Sequence, residues 1–222
     1  MIVKSNNTHN PKIDRPIPET PGTDIDTRER LLDAATSLFA EKGIAATRMA
    51  EIALRGGVTS AMIHYYFKTR DSLLDTFIEE RIERASALIF DPITGDEDNP
   101  IAMVKDLVNR IIKTCDMMPW LPSIWMREIV NEGGALREKM LQRIPNDKLE
   151  MFMANIAKGQ KKGVINPDID PRLLTSSIIG LTMLPMATAK LWDLIPTLKG
   201  LDKTNIACHV KALIINGLTN TV

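Results

Sequence analysis

The stretch Met49–Phe67, MAEIALRGGVTSAMIHYYF, contains two short runs with helical periodicity, separated by Gly56-Gly57. Met49, Ile52 and Ala53 share one face of the first run, and Ile63 and Phe67 share one face of the second, Ser60 to Phe67. Spacings of three and four residues belong to helices that bury one side. Thr47 and Thr59 stand where N-caps are expected, and the glycine pair stops the first helix. Helices at 49–55 and 60–67 joined by a glycine turn have the form of a helix-turn-helix. From residue 52 to residue 70 the chain carries Arg55, Lys68 and Arg70, no acid, and the run His64-Tyr65-Tyr66. Cations and hydroxyl donors in one short stretch suit phosphate oxygens.

Working outward, Leu31, Leu32, Ala35, Leu38 and Phe39 predict a helix over about 26–42. Asp26 and Glu29 are spaced as a capping box at its start, and Gly43 stands at its end. Thr69 and Asp71 open a long helix through about residue 90, carried by Leu73, Leu74, Phe77, Ile78, Ile82, Ala85 and Ile89. Further helices are expected at 101–117 and 123–132, in a stretch over 135–162 interrupted by Pro145, at 171–189 opened by Asp170-Pro171, and at 203–219. No strand pair or internal repeat is evident, so the expected fold is all-α with about nine helices.

The 222 residues carry 28 basic and 28 acidic side chains, so no overall positive field draws the chain to nucleic acid and any DNA affinity must be local. Cys115 and Cys208 are too few for a four-ligand zinc site; they read as small buried side chains or, alternatively, as a thiol lining a pocket or sensing oxidants. No run approaches ~18 uninterrupted apolar residues, so no membrane span is expected. The N-terminus, with Pro11, Pro16, Pro18 and Pro21, lacks a signal-peptide core and reads as a flexible tail over 1–25. A cytoplasmic location follows. His9, His64 and His209 are scattered, and there is no nucleophile motif, metal-ligand cluster or glycine-rich phosphate loop, so neither an enzyme nor a cofactor or metal is expected.

Residues Thr27 to Leu74 resemble the DNA-binding head of TetR-type transcription regulators over their whole length. The matching positions include Leu31-Leu32-Asp33-Ala34-Ala35, Leu38-Phe39, Gly43, Thr47, Ile52-Ala53, Gly57-Val58, Tyr66-Phe67, Lys68, Arg70 and Leu73-Leu74. The resemblance implies a helix-turn-helix domain over 26–72 and a larger ligand-binding and dimerisation domain over 73–222. It assigns operator contacts to Arg28, Thr47, Arg48, Thr59, Ser60, Ala61, Met62, His64, Tyr65, Tyr66, Lys68 and Arg70. His64, where the family usually has tyrosine, and Met62, where a small hydroxyl residue is common, leave the operator sequence open. Tyr66 could instead pack against the first helix, His64 could be merely solvated, and Arg55 reads as a plain surface charge.

The resemblance also implies a homodimer through the two C-terminal helices, with Leu174, Ile178, Leu181, Ile206, Val210, Leu213 and Ile214 as candidate contacts and Ser176, Ser177 and Gly180 allowing close approach. A dimer suits a near-palindromic operator, because two heads can read two half-sites. Methionines crowd residues 103–186 together with Trp120 and Trp125. Ordinary core packing explains such a set; the alternative is an adaptable apolar cavity. Met117, Trp120, Trp125, Met126, Met153 and Met183 are the candidate lining residues for a small apolar effector, or a cationic one if Asp106, Asp116, Glu128 or Asp193 faces inward. The function expected is a repressor relieved by its ligand. An activator and an architectural DNA-binding protein without a ligand are the alternatives.

Overall fold

The computed structural model describes residues 24–94 and 98–219. The expected tail lies outside these residues, except for Asp24 and Ile25, which begin the first helix; His9 and residues 95–97 lie outside as well. Among the described residues the chain forms ten helices, one short 3-10 turn and no strand.

Helices α1 (Asp24–Lys42), α2 (Met49–Arg55) and α3 (Ser60–Phe67) make the head. Their inward faces are those the periodicity predicts: Leu31, Leu32, Ala35, Phe39, Ile52, Ile63 and Phe67 are all buried. The expected cap at Asp26 is displaced, because α1 begins two residues earlier and Asp26 pairs instead with Arg30 one turn on. α4 leaves the head at Arg70 and runs through Arg70–Phe77, a π-helical segment Ile78–Ile82 and Glu83–Phe90. Thr69 caps it by accepting from the Ser72 amide at 3.1 Å. Phe77 joins head to body, meeting Phe39 edge-on at 5.3 Å and Trp120 at 5.8 Å between ring centroids.

The body follows with α5 (Pro100–Met117) and α6, made of Leu121–Ile124 and a second π-helical segment, Trp125–Val130. Then come α7 (Arg137–Leu141), α8 (Asn146–Lys161), α9 (Pro171–Trp192) and α10 (Lys203–Leu218). Asn99, Asp170 and Asp202 each accept an amide at the start of the helix they open, and proline occupies the first position of α5 and α9. α5 is the hub, packed against α4, α8, α9 and α10.

α9 and α10 bury Leu174, Ile178, Ile206, Val210 and Ile214 inside the protomer. These five candidates for dimer contacts therefore hold the two helices on the body and cannot reach a partner. Leu181 and Leu213 are exposed, as are Leu173, Leu184 and Leu191. By length and composition α9 would also be apolar enough to cross a membrane, a property that the criterion of an uninterrupted apolar run does not detect.

Candidate nucleic-acid interface and effector cavity

α3 follows the glycine turn, where Gly57 takes φ +71°, a conformation open to glycine at little cost. Its buried side is fixed by Ile63 and Phe67, which leaves Thr59, Ser60, Ala61, Met62, His64 and Tyr65 exposed. Thr59 occupies the N-cap, but its side chain makes no cap hydrogen bond, so the first amides of α3 have no side-chain partner at that end. A helix start with free amides and no acid in its first turn favours an anion. His64 Nδ1 lies 3.2 Å from the Lys68 carbonyl. A carbonyl only accepts, so this contact calls for a proton on Nδ1. Lys68 caps the end of α3, exposed, and Arg48 caps the start of α2, also exposed. Neither side chain has a carboxylate within 4.0 Å among the described residues.

Four expected contacts are committed elsewhere. Thr47 is fully buried: its hydroxyl donates to the Gly43 carbonyl at 2.7 Å, so its side chain cannot meet a phosphate and Arg48 takes the cap position. Arg28 is ion-paired with Glu80 and Glu29 and lies over the Phe67 ring. Arg70 turns inward and donates to the Ile44 and Thr47 carbonyls. Tyr66, half-buried, donates its hydroxyl to Asp24 of α1 at 3.0 Å, the alternative weighed for it in the sequence. Arg55 is held by Glu41 at 2.8 Å, and that bridge together with Ser37 pulls the Glu41 carboxyl down to about 2.

The body encloses a cavity of about 660 Å³, within the range of small-molecule sites. Ile82, Ala85, Ile89 and Phe90 of α4 form one wall; Ile111, Leu121, Trp125, Ile129, Met140, Met153 and Met183 contribute to the rest. Both π-helical segments reach it, through Ile82 and through Trp125, Ile129 and Val130. Among the six candidate lining residues, Trp125, Met153 and Met183 are in place. Met117 is half exposed beside Trp120 on another surface, Trp120 packs on Phe77, and Met126 lies off the cavity wall. The methionine run carried no information on helix phase relative to the cavity.

Among the described residues no Asp or Glu lines the cavity, and the charged residues that do are Arg137, Arg143 and Arg172. The four acids offered for a cationic effector all lie elsewhere. Asp106 and Asp193 face solvent, and Asp116 pairs with Lys203. Glu128 is buried at 4% exposure and turns toward the head, where its carboxylate accepts from the Ile44 amide at 2.9 Å and the Ala135 amide at 3.1 Å. Two glycines permit this joint. Gly43 has φ +89°, and an added Cβ would come 2.9 Å from Arg127 Cδ; at Gly134 it would come 2.2 Å from the Glu128 carbonyl oxygen. Sequence reasoning missed Glu128 as a link. The available signal was an acid inside the run IWMREIV with a glycine pair soon after it.

Residues 31–76 match the family described as bacterial regulatory proteins, tetR family. The chain is 25% identical over 146 residues to the transcriptional repressor KstR2 of Rhodococcus jostii, covering 66% of this chain and 71% of that protein. It is 26% identical over 172 residues to the transcriptional regulator UidR of Escherichia coli, covering 76% and 84%. The structure of the ketosteroid transcriptional regulator KstR2 of Mycobacterium tuberculosis superposes with a TM-score of 0.68 at 19% identity, over 87% of this chain and 95% of that one.

Proposed function

We propose that this chain, which belongs to the TetR family of bacterial regulatory proteins and is a DNA-binding transcription regulator, is a cytoplasmic repressor that leaves its operator when a small molecule fills the body cavity. The observation that carries the DNA reading is the outer face of α3. Thr59, Ser60, Ala61, Met62, His64 and Tyr65 stand clear of the core with no acid among them, flanked by the exposed cations Arg48 and Lys68. Residues 26–72 act as the head and 73–222 as the body. With so few cations on this face, one head gains little from phosphates, and two heads on a near-palindrome supply the remainder. The outward residues Leu181, Leu184 and Leu213 on α9 and α10 are the surface through which two chains would pair.

Relief of repression is supported by α4, which reaches from one site to the other. Its first residue, Arg70, grips the turn that bears Thr47, and its far half forms a wall of the cavity. A ligand shifts such an element only if it binds one of its positions more tightly than the other. Selection of bound sequences from a random DNA pool tests the DNA reading: a near-palindromic motif is expected, and enrichment of no motif would overturn it.

A further inference from the structure

We propose that the cavity takes an amphipathic anion: an apolar body lying among Ile89, Ile111 and Trp125, with a carboxylate or phosphate head at Arg137. The inference rests on the reading of this cavity as an effector site and adds the chemical class of the effector. The wall is mostly apolar, and Ile82, Ile111 and Leu121 on it are almost wholly buried. Among the described residues the three charges that line it are all positive: Arg137 in α7, Arg143 just after it, and Arg172 at the start of α9.

Their partners separate them. Arg143 is paired with Glu83 at 2.8 Å, and Arg172, largely in solvent, with Asp170 at 2.6 Å. Arg137 is half-buried; the one bond recorded for it runs from its guanidinium to the Val130 carbonyl at 3.2 Å, and no carboxylate lies within 4.0 Å among the described residues. A guanidinium with donors to spare beside an apolar cavity matches the planar, two-oxygen face of a carboxylate or phosphate. Around it, Leu141 and Val130 line the cavity yet remain about half exposed. An apolar chain reaching outward would cover them. A cationic head would meet Arg137, while the nearby acids Glu83 and Asp170 are already held by Arg143 and Arg172.

Four probes of one chain length test this on the full-length protein: dodecanoate, its coenzyme A thioester, dodecanol and dodecylamine, each below its aggregation concentration. Binding is read by calorimetry and by tryptophan fluorescence, since Trp125 lines the cavity. Dodecanoate or its thioester should bind at least ~10-fold more tightly than dodecanol, the worth of one charge-assisted hydrogen bond, and dodecylamine more weakly still. The better of the two anions tells whether the site takes a free carboxylate or a larger headgroup that carries its phosphates farther from the acyl chain. Arg137→Met should remove that advantage while leaving dodecanol binding unchanged, and Arg137→Lys should keep most of it. Equal affinity for dodecanol and both anions, tighter binding of dodecylamine, or equal loss of anion and alcohol binding in Arg137→Met would overturn the proposal. Operator affinity is measured separately. Anion binding with an unchanged hold on DNA would uphold the ligand class and refute relief of repression.

Discussion

Replacing Glu128 with alanine removes the acceptor for two backbone amides where the head meets the body. The Ile44 amide belongs to a residue at 1% exposure and would be left without a partner in the interior. Such a group costs ~1–3 kcal/mol. Ala135 is exposed, so its amide can turn to water at small cost. The space vacated by the carboxylate adds about 1 kcal/mol. Against these losses, removing a buried carboxylate that has no cation within 4.0 Å among the described residues recovers part of its desolvation cost. The balance is a loss of about 2 kcal/mol, or ~4–8 °C in Tm for a chain of this size. Glu128→Gln keeps one acceptor oxygen and should lose about half as much. Urea unfolding at fixed protein concentration gives the midpoints, which are comparable while the slope is unchanged. Because Glu128 lies in the π-helical segment that also lines the cavity, Glu128→Ala should weaken the effect of a bound ligand on operator affinity more than the affinity itself. A stability within ~0.5 kcal/mol of the parent, the range of an ordinary surface change, would refute the reasoning.

Lys68→Ala and Arg48→Ala should each lower the slope of log affinity against log salt by about one with Tm little changed, whereas Arg70→Ala should lower Tm by loosening the turn at Ile44–Thr47. Leu184→Glu combined with Leu213→Glu should give monomers by light scattering with helical circular dichroism intact; persistent dimers would place the interface elsewhere. Cys208, exposed on the protomer, should be alkylated in a monomeric variant. Cys115 should not react until the protein unfolds, since burial pushes its thiol up to about 12. The Glu41 carboxyl should titrate by NMR near 2 and return toward 4.5 in Arg55→Ala. The sign follows from a lowered folded pKa: the bridge contributes fully above the unfolded value and is lost as pH falls through the folded one.

The helices were legible in the sequence because each buries one regular face, and Leu31, Phe39, Ile63 and Phe67 repeat at the helical period. The outer face of α3 followed by subtraction. Periodicity does not give the reach of long side chains. Arg28 and Arg70 have the charge and position of phosphate contacts, yet an acid 52 residues away and carbonyls 23 and 26 residues away hold them. The same limit applies to the cavity. The two π-helical segments shift helix phase in a way that a count of 3.6 residues per turn does not follow, so Trp125 and Ile129 face inward while Met126 does not. The buried faces of α9 and α10 were read correctly as apolar but assigned to a partner; an apolar stripe does not say which neighbour covers it.

Between Phe67 and Thr69 the chain makes a γ-turn: the Thr69 amide donates to the Phe67 carbonyl at 2.5 Å, and Lys68 sits between them at φ 55°, ψ −64°. Among the described residues Lys68 is the one non-glycine with positive φ, and a position of this kind costs ~1–3 kcal/mol. Glycine would relieve that cost but carries no ammonium group, so folding and operator binding ask for different residues at position 68. Lys68→Ala removes the charge and keeps the strain, while Lys68→Gly removes both. The two variants should bind DNA alike and differ in Tm, with the glycine variant the more stable. Weaker binding in the more stable variant would mark position 68 as a site where stability has been given up for function.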